Sequence, residues 1–426
     1  METWLKKIIL FLVSQTVTLI GSLVVSFAVM WYITIETSSG MMMTVAVLCI
    51  FLPQIFISLI AGVWADRYNR KVLIIISDLS IAATTLVLAI LWLKGNTSFT
   101  FLFFVMALRS LGQGIQQPAV GALIPQIVPM EHLTRVNAIN ATIMNVLNLL
   151  APALGGILLA AGFVNALFFD VATAVVGVII LSFLVVGKIE KTADAVKGSI
   201  IGELREGLAF VKRTQWLRFM LIFYALGFFL VAPAAFLTPI LVERLYGPEI
   251  WRLTMNEIFW SVGAVIGGVV IAAWGGFKNR IFSMGFSFLF FGITFAAMGL
   301  ADNFWFYLTI MGVAGFFLPM FTTAEMTFIQ EKTEPQMMGR VFSVINIIIS
   351  TVMPLGMLLF GPLADVINVR VIMVGSGLIM AILAFSLLFN KRLLALDPTG
   401  RPDLKKKKKT VLPLVPESEP LIQETK

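Results

Sequence analysis

Twelve stretches of predominantly apolar residues follow one another along this chain, near residues 8–33, 41–65, 72–93, 98–118, 137–161, 164–187, 217–243, 254–275, 281–301, 304–329, 341–364 and 370–390. About 20 such residues suffice to cross a bilayer as a helix. Inside hydrocarbon the backbone must satisfy its own polar groups, which leaves helices and closed barrels. Barrel strands alternate apolar and polar side chains, and these runs do not. Charged residues make up 13% of the 426, about half the share of a soluble domain. The fold class is therefore all-α membrane protein with twelve transmembrane helices.

The first run follows a basic start at Lys6 and Lys7, as a signal peptide would. Ile8 to Ile33 is too long for a signal core, and no small-residue cleavage site follows. It reads as a retained first helix. Cys49 and His132 are each the only residue of their kind. No disulfide within the chain, no His/Cys metal site and no nucleophile–base set is expected, so the chain reads as no enzyme. A Gly-rich loop ending in Lys-Ser/Thr is absent, so ATP is not the expected driver and no cofactor is implied.

An even number of spans places both termini on one side. Four basic residues, Lys94, Arg244, Arg252 and Arg370, fall on the other side and Arg109 lies within a span, leaving 26 of the 31 with the termini. Loops rich in Lys and Arg stay in the cytoplasm, so both termini are expected there, in a multi-pass plasma-membrane protein. The chain divides into a six-helix bundle over 1–187, a linker over 188–216, a second six-helix bundle over 217–390 and a basic tail over 391–426. In the linker, Ile201, Leu204, Leu208 and Val211 share one helical face, as in a helix lying on a membrane surface. In the tail, Lys405–Lys409 suit anionic lipid headgroups. No nucleic-acid partner is expected, and the chain is expected to act as a monomer.

The two halves carry traces of one design. Trp64, Asn69 and Arg70 match Trp274, Asn279 and Arg280 at constant offset, and Arg135-Val136 pairs with Arg340-Val341. Two homologous bundles related by a pseudo-two-fold axis can rock about a central cavity.

The stretch Gly62 to Lys71, GVWADRYNRK, resembles the loop signature of the major facilitator superfamily, G-x-L-A-D-R-x-G-R-K, between helices 2 and 3. Gly62, Ala65, Asp66, Arg67, Arg70 and Lys71 match; Trp64 and Asn69 replace Leu and Gly. Asn tolerates a left-handed turn well enough to keep the loop. The resemblance implies a latch: Gly62 allows close helix approach, and Asp66 faces the first turn of helix 11, near Gly339 to Val341, whose amides favour an anion.

Arg109 lies inside helix 4, where an Arg costs roughly 2.5–3.5 kcal/mol on insertion scales and needs a partner or wet cavity. The resemblance associates it with proton transfer. Asp78, Asp170 and Glu325 are further intramembrane proton-coupling candidates, with a structural role favoured for Asp78 through bonds back to the loop cations. Pro152, Gly155 and Gly156 match part of the antiporter signature of the superfamily in helix 5. With Gly263 and Gly267 of helix 8 they predict close packing of helices 5 and 8 between the halves. Gln15, Thr18 and Ser22 of helix 1 are candidates to line a cavity for a large amphipathic molecule.

The GRVFS loop at Gly339, the MPLGMLLFGPLAD end of helix 11 and the ALFFD start of helix 6 resemble the drug:proton antiporter branch typified by bacterial macrolide exporters. That likeness implies export of a bulky amphipathic compound in exchange for protons by rocker-switch alternating access. Export of a siderophore or lysophospholipid, or a transport-inactive partner protein, remain the alternatives.

Overall fold

The computed structural model describes residues 3–186 and 213–390, together with 211, 394 and 397. The surface helix expected around Ile201, Leu204 and Leu208 and the Lys405–Lys409 run lie outside the described residues. Thirteen helices follow in order among those described: α1 (Thr3–Thr37), α2 (Gly40–Arg67), α3 (Arg70–Leu93), α4 (Phe99–Ile127), α5 (Leu133–Ala160), α6 (Phe163–Ser182), α7 (Gln215–Phe236), α8 (Thr238–Tyr246), α9 (Ile250–Trp274), α10 (Arg280–Leu300), α11 (Phe304–Lys332), α12 (Pro335–Val366) and α13 (Val369–Phe389). Helices α7 and α8 form one span interrupted at Leu237, whose amide bonds Pro233 at 2.8 Å before Pro239 opens the next segment.

Eleven segments, counting α7 and α8 together, are long and apolar enough to cross a membrane. The twelfth span is α4, 29 residues long and made less apolar by Arg109, Gln113, Gln116 and Gln117. Its polar side chains are the first sign that the helix serves more than anchoring.

Short polar residues begin several helices by accepting from first-turn amides. Ser39 caps α2, Asn279 caps α10 at 2.9 Å, Asn303 caps α11 and Asn368 caps α13. Such caps satisfy donors that the helix itself leaves unpaired. Asn69 belongs to this set. It has φ −64° and accepts from Val72 N, so it starts α3 as an N-cap and makes no left-handed turn.

Both halves use one packing scheme. In the first, α1 packs on α5 and α6, α2 on α4, and α3 on α4 and α6. In the second, α7 packs on α12 and α13, α9 on α11, and α10 on α11 and α13. The halves meet through α2 with α12 and α5 with α9. The loop repeat seen in sequence survives in detail: Arg70 Nε donates to Ala65 O and Arg280 Nη1 to Gly275 O, at equivalent positions.

The glycines pack partly as expected. A Cβ on Gly156 would stand 2.2 Å from Thr254 Oγ1 of α9, so helix 5 does meet helix 8 there. Gly155 instead faces α1, near Phe27 and Val24, and Pro152 is buried within α5. Gly263 and Gly267 face α11, where a Cβ would lie 2.0 Å from the carbonyl oxygens of Gly312 and Phe316 respectively. Their role is packing inside the second bundle, because α9 turns its small-residue stripe toward α11 rather than toward α5.

Candidate functional site

Four helices of the first bundle converge on one buried carboxylate. Arg109 of α4 forms an ion pair with Asp170 of α6, and Thr85 of α3 donates to Asp170 Oδ2 at 3.0 Å. Ser22 of α1 donates to Asp170 Oδ1 at 3.2 Å, and Arg109 also contacts Thr85. Asp170 is fully buried and Arg109 is 7% exposed. Charges at this depth persist only when paired and hydrogen-bonded. The guanidinium also borders a small cavity shared with Ser26, Ser110 and Gln113.

Two helical turns along the antiparallel α3–α4 pair lies Asp78, which accepts from Gln116 Nε2 at 2.6 Å. Its partner is thus on α4, and the expected bond to the loop cations is not made. Arg70 instead donates to Ala122 O and Gln126, and Lys71 to Ser182 O at 2.8 Å. Those two cations tie the α2–α3 loop to α4 and α6, while Arg67 is exposed.

Ser22 and Thr18 of helix 1 are turned into the first bundle rather than toward a cavity. Ser22 is committed to Asp170, and Thr18 bonds its own helix at Ser14 O and packs on Gly177 of α6. Gln15 is 3% exposed, and neither of its side-chain polar atoms has a partner among the described residues. Hydroxyls on a membrane helix readily bond the carbonyl four residues back, which turns them away from a lumen.

A large cavity lies in the second bundle. It holds about 330 Å³, within the range of small-molecule sites, and its walls come from α7 to α12. Phe228, Trp260, Phe288, Phe291, Phe295 and Phe321 form most of it, with Met298, Met311 and Met353. One carboxylate, Glu257 of α9, joins them. Asn256 Nδ2 donates to Glu257 Oε1 at 3.1 Å, and Tyr307 OH fixes Asn256 by donating to its Oδ1 at 2.7 Å. Glu325 lies one turn beyond Phe321 on α11. Glu257 is the residue that sequence reading missed. Its signal was plain, a carboxylate a few positions inside the eighth apolar run.

At one end of the molecule the two bundles are clasped. Asp365, at the last turn of α12, accepts from Gly40 N at 2.7 Å, Met41 N at 2.8 Å and Ser39 Oγ at 2.8 Å, all at the start of α2. Arg244 of α8 donates to Ser38 O, Ala364 O and Asp365 Oδ1, and Ser38 bonds Glu243. Gly40 and Gly361 allow the helices to touch: a Cβ on Gly40 would lie 2.1 Å from Gly361 O.

At the opposite end the expected latch is not made. Asp66 is 76% exposed, with Arg70 at 3.9 Å as its partner among the described residues. A Cβ on Gly62 or on Gly339 would meet nothing within 4 Å. Clasped at one end, α2 and α12 diverge at the other, so the close approach at Gly62 is not made and, among the described residues, no hydrogen bond joins Asp66 to the first turn of α12.

Residues 10–356 and 250–422 match the Major Facilitator Superfamily. Macrolide efflux protein A of Streptococcus pyogenes is 28% identical over 386 residues, covering 90% of this chain and 95% of that protein. Multidrug efflux pump Tap of Mycolicibacterium fortuitum is 22% identical over 396 residues, covering 90% and 94%. Among solved structures, a bacterial homolog to the human lysosomal transporter Spinster, inward-facing and unoccupied, aligns with a TM-score of 0.67 at 15% identity over 93% of this chain and 99% of that one. A bacterial homologue of the iron transporter ferroportin, inward-facing, gives 0.67 at 17% over 91% and 100%; at such identities these two speak for the fold. Twelve spans in two like-packed bundles and a family match running through both halves lead to one conclusion: this chain belongs to the Major Facilitator Superfamily.

Proposed function

We propose that the protein exports a bulky amphipathic compound, a macrolide or another drug, across the plasma membrane in exchange for protons. The observation that carries the reading is the 330 Å³ cavity of rings and thioethers in the second bundle. Aromatic faces and methionines bind apolar bodies of varied shape without a dense hydrogen-bonding array. Sequence relatives named for macrolide and multidrug efflux support the same cargo class. The buried Arg109–Asp170 pair supports proton coupling, since protonating Asp170 would free the guanidinium and unbalance the cluster.

With both termini in the cytoplasm, the clasped end at Asp365 faces outward and the open end at Asp66 faces the cytoplasm. Cargo then enters from the inside. Rocking about the α2–α12 and α5–α9 contacts exposes it to the outside. The test is efflux of a macrolide and of a fluorescent cationic dye from cells lacking their own pumps, with and without a protonophore. Efflux that a protonophore abolishes is the expected result. Efflux insensitive to the protonophore would defeat the antiport reading, and none of either cargo from well-expressed protein would defeat the drug-export reading.

A further inference from the structure

Glu257 is the carboxylate that lines the second-bundle cavity. Of the other carboxylates inside the spans, Asp170 is paired with Arg109 and Asp78 accepts from Gln116. Glu257 has the amide of its neighbour Asn256 and the open cavity, whose lining includes no Lys, Arg or His. An anion in apolar surroundings is held best by a positive partner, and ring faces attract the same charge. We propose that the second-bundle cavity is a binding site for a monovalent organic cation with an apolar body, an amphiphilic amine or onium ion, whose charge pairs with Glu257 while its body packs on Trp260, Phe291 and Phe321.

This rests on reading the chain as an exporter of amphipathic compounds, and its test is independent of transport. Purified protein in detergent is titrated with tetraphenylphosphonium and, separately, with the neutral triphenylphosphine oxide. Glu257→Gln is expected to weaken the cation at least about tenfold, as loss of a desolvated charge partner does, and to leave the neutral probe unchanged. Equal weakening of both probes, or no weakening of the cation, would overturn the assignment. Trp260→Ala is expected to weaken both. Binding needs no gradient, so a failed efflux assay leaves this result standing. Loss of cation preference would likewise leave export of neutral cargo untouched.

A second inference comes from the clasp and from a repeat that the sequence carries unannounced. Residues 361–371, GPLADVINVRV, restate residues 62–72, GVWADRYNRKV: Gly62, Ala65, Asp66, Asn69 and Val72 recur as Gly361, Ala364, Asp365, Asn368 and Val371, with Arg370 in place of Lys71. One copy ends α2 and the other ends α12, at opposite ends of this helix pair. Asp365 already does to α2 what Asp66 is expected to do to α12: it takes the free amides of the partner helix's first turn. We infer that α2 and α12 latch each other at opposite ends, with Asp365 holding the outer end shut in the inward-open state and Asp66 holding the inner end shut in the other.

Spin labels at Leu93→Cys and Trp305→Cys, exposed residues at the outer ends of α3 and α11, report the outer opening in a Cys49→Ala background. Asp365→Ala is expected to raise the outward-open population about tenfold through loss of charge-assisted hydrogen bonds. Met41→Pro removes one accepted donor at a first-turn position where proline is tolerated, and should shift it the same way. Asp66→Asn should shift it oppositely or not at all. Unchanged distributions in both Asp365→Ala and Met41→Pro would overturn the inference.

Discussion

Replacing Arg109 with alanine is expected to cost about 3–5 kcal/mol of stability and to abolish the proposed proton-coupled efflux, because it strands the buried Asp170 without its partner. The carboxylate is fully enclosed, and Ser22 and Thr85 cannot offset a whole charge. The double variant Arg109→Met with Asp170→Leu removes both charges and should regain most of the stability, since apolar replacement of a buried pair is often neutral or better. Transport should stay absent in it. Thermal unfolding in detergent together with protonophore-sensitive efflux separates the two effects. A stable double variant that still transports against a gradient would show the pair to be structural.

Gly267→Val should be nearly as damaging for a different reason. Its Cβ would enter 2.0 Å from Phe316 O, a backbone atom of α11 that cannot rotate away. Overpacking of a tight interior costs about 1–3 kcal/mol and occasionally more. Here the helices themselves must separate, so we expect about 3 kcal/mol and a sharp fall in membrane yield. Gly62→Ala and Gly339→Ala are the internal controls. Both sit in helices with open space around them, and alanine there should be neutral or slightly stabilising. Equal melting shifts for all three variants would contradict the close α9–α11 packing.

Legibility followed the range of the interactions. The spans could be read because hydrocarbon imposes a local rule on each segment, and α4 was readable even though its polar middle makes it the least apolar span. Arg109 announced itself through its cost in the membrane. Its partner did not, since Asp170 lies 61 positions away and the two meet only because α4 and α6 both pack on α3. The hydroxyls of α1 misled for a related reason. Their number is visible in sequence, but whether they face a cavity or close on Ser14 O and Leu12 O is settled by packing. Asp66 and Asp365 carry the same local signature, and nothing local tells which one is engaged. That depends on which ends of α2 and α12 are together, a property of the conformation.

By itself, then, the sequence determined a helical, twelve-span, duplicated membrane chain, because length, hydropathy and charge bias act within each segment. Tertiary structure alone decided that Asp170 neutralises Arg109, that a large cavity lies in the second bundle beside Glu257, and that Asp365 rather than Asp66 closes an end. Each of these depends on side chains far apart in sequence meeting in a low-dielectric interior, where pairing is decisive and no local pattern encodes the partner.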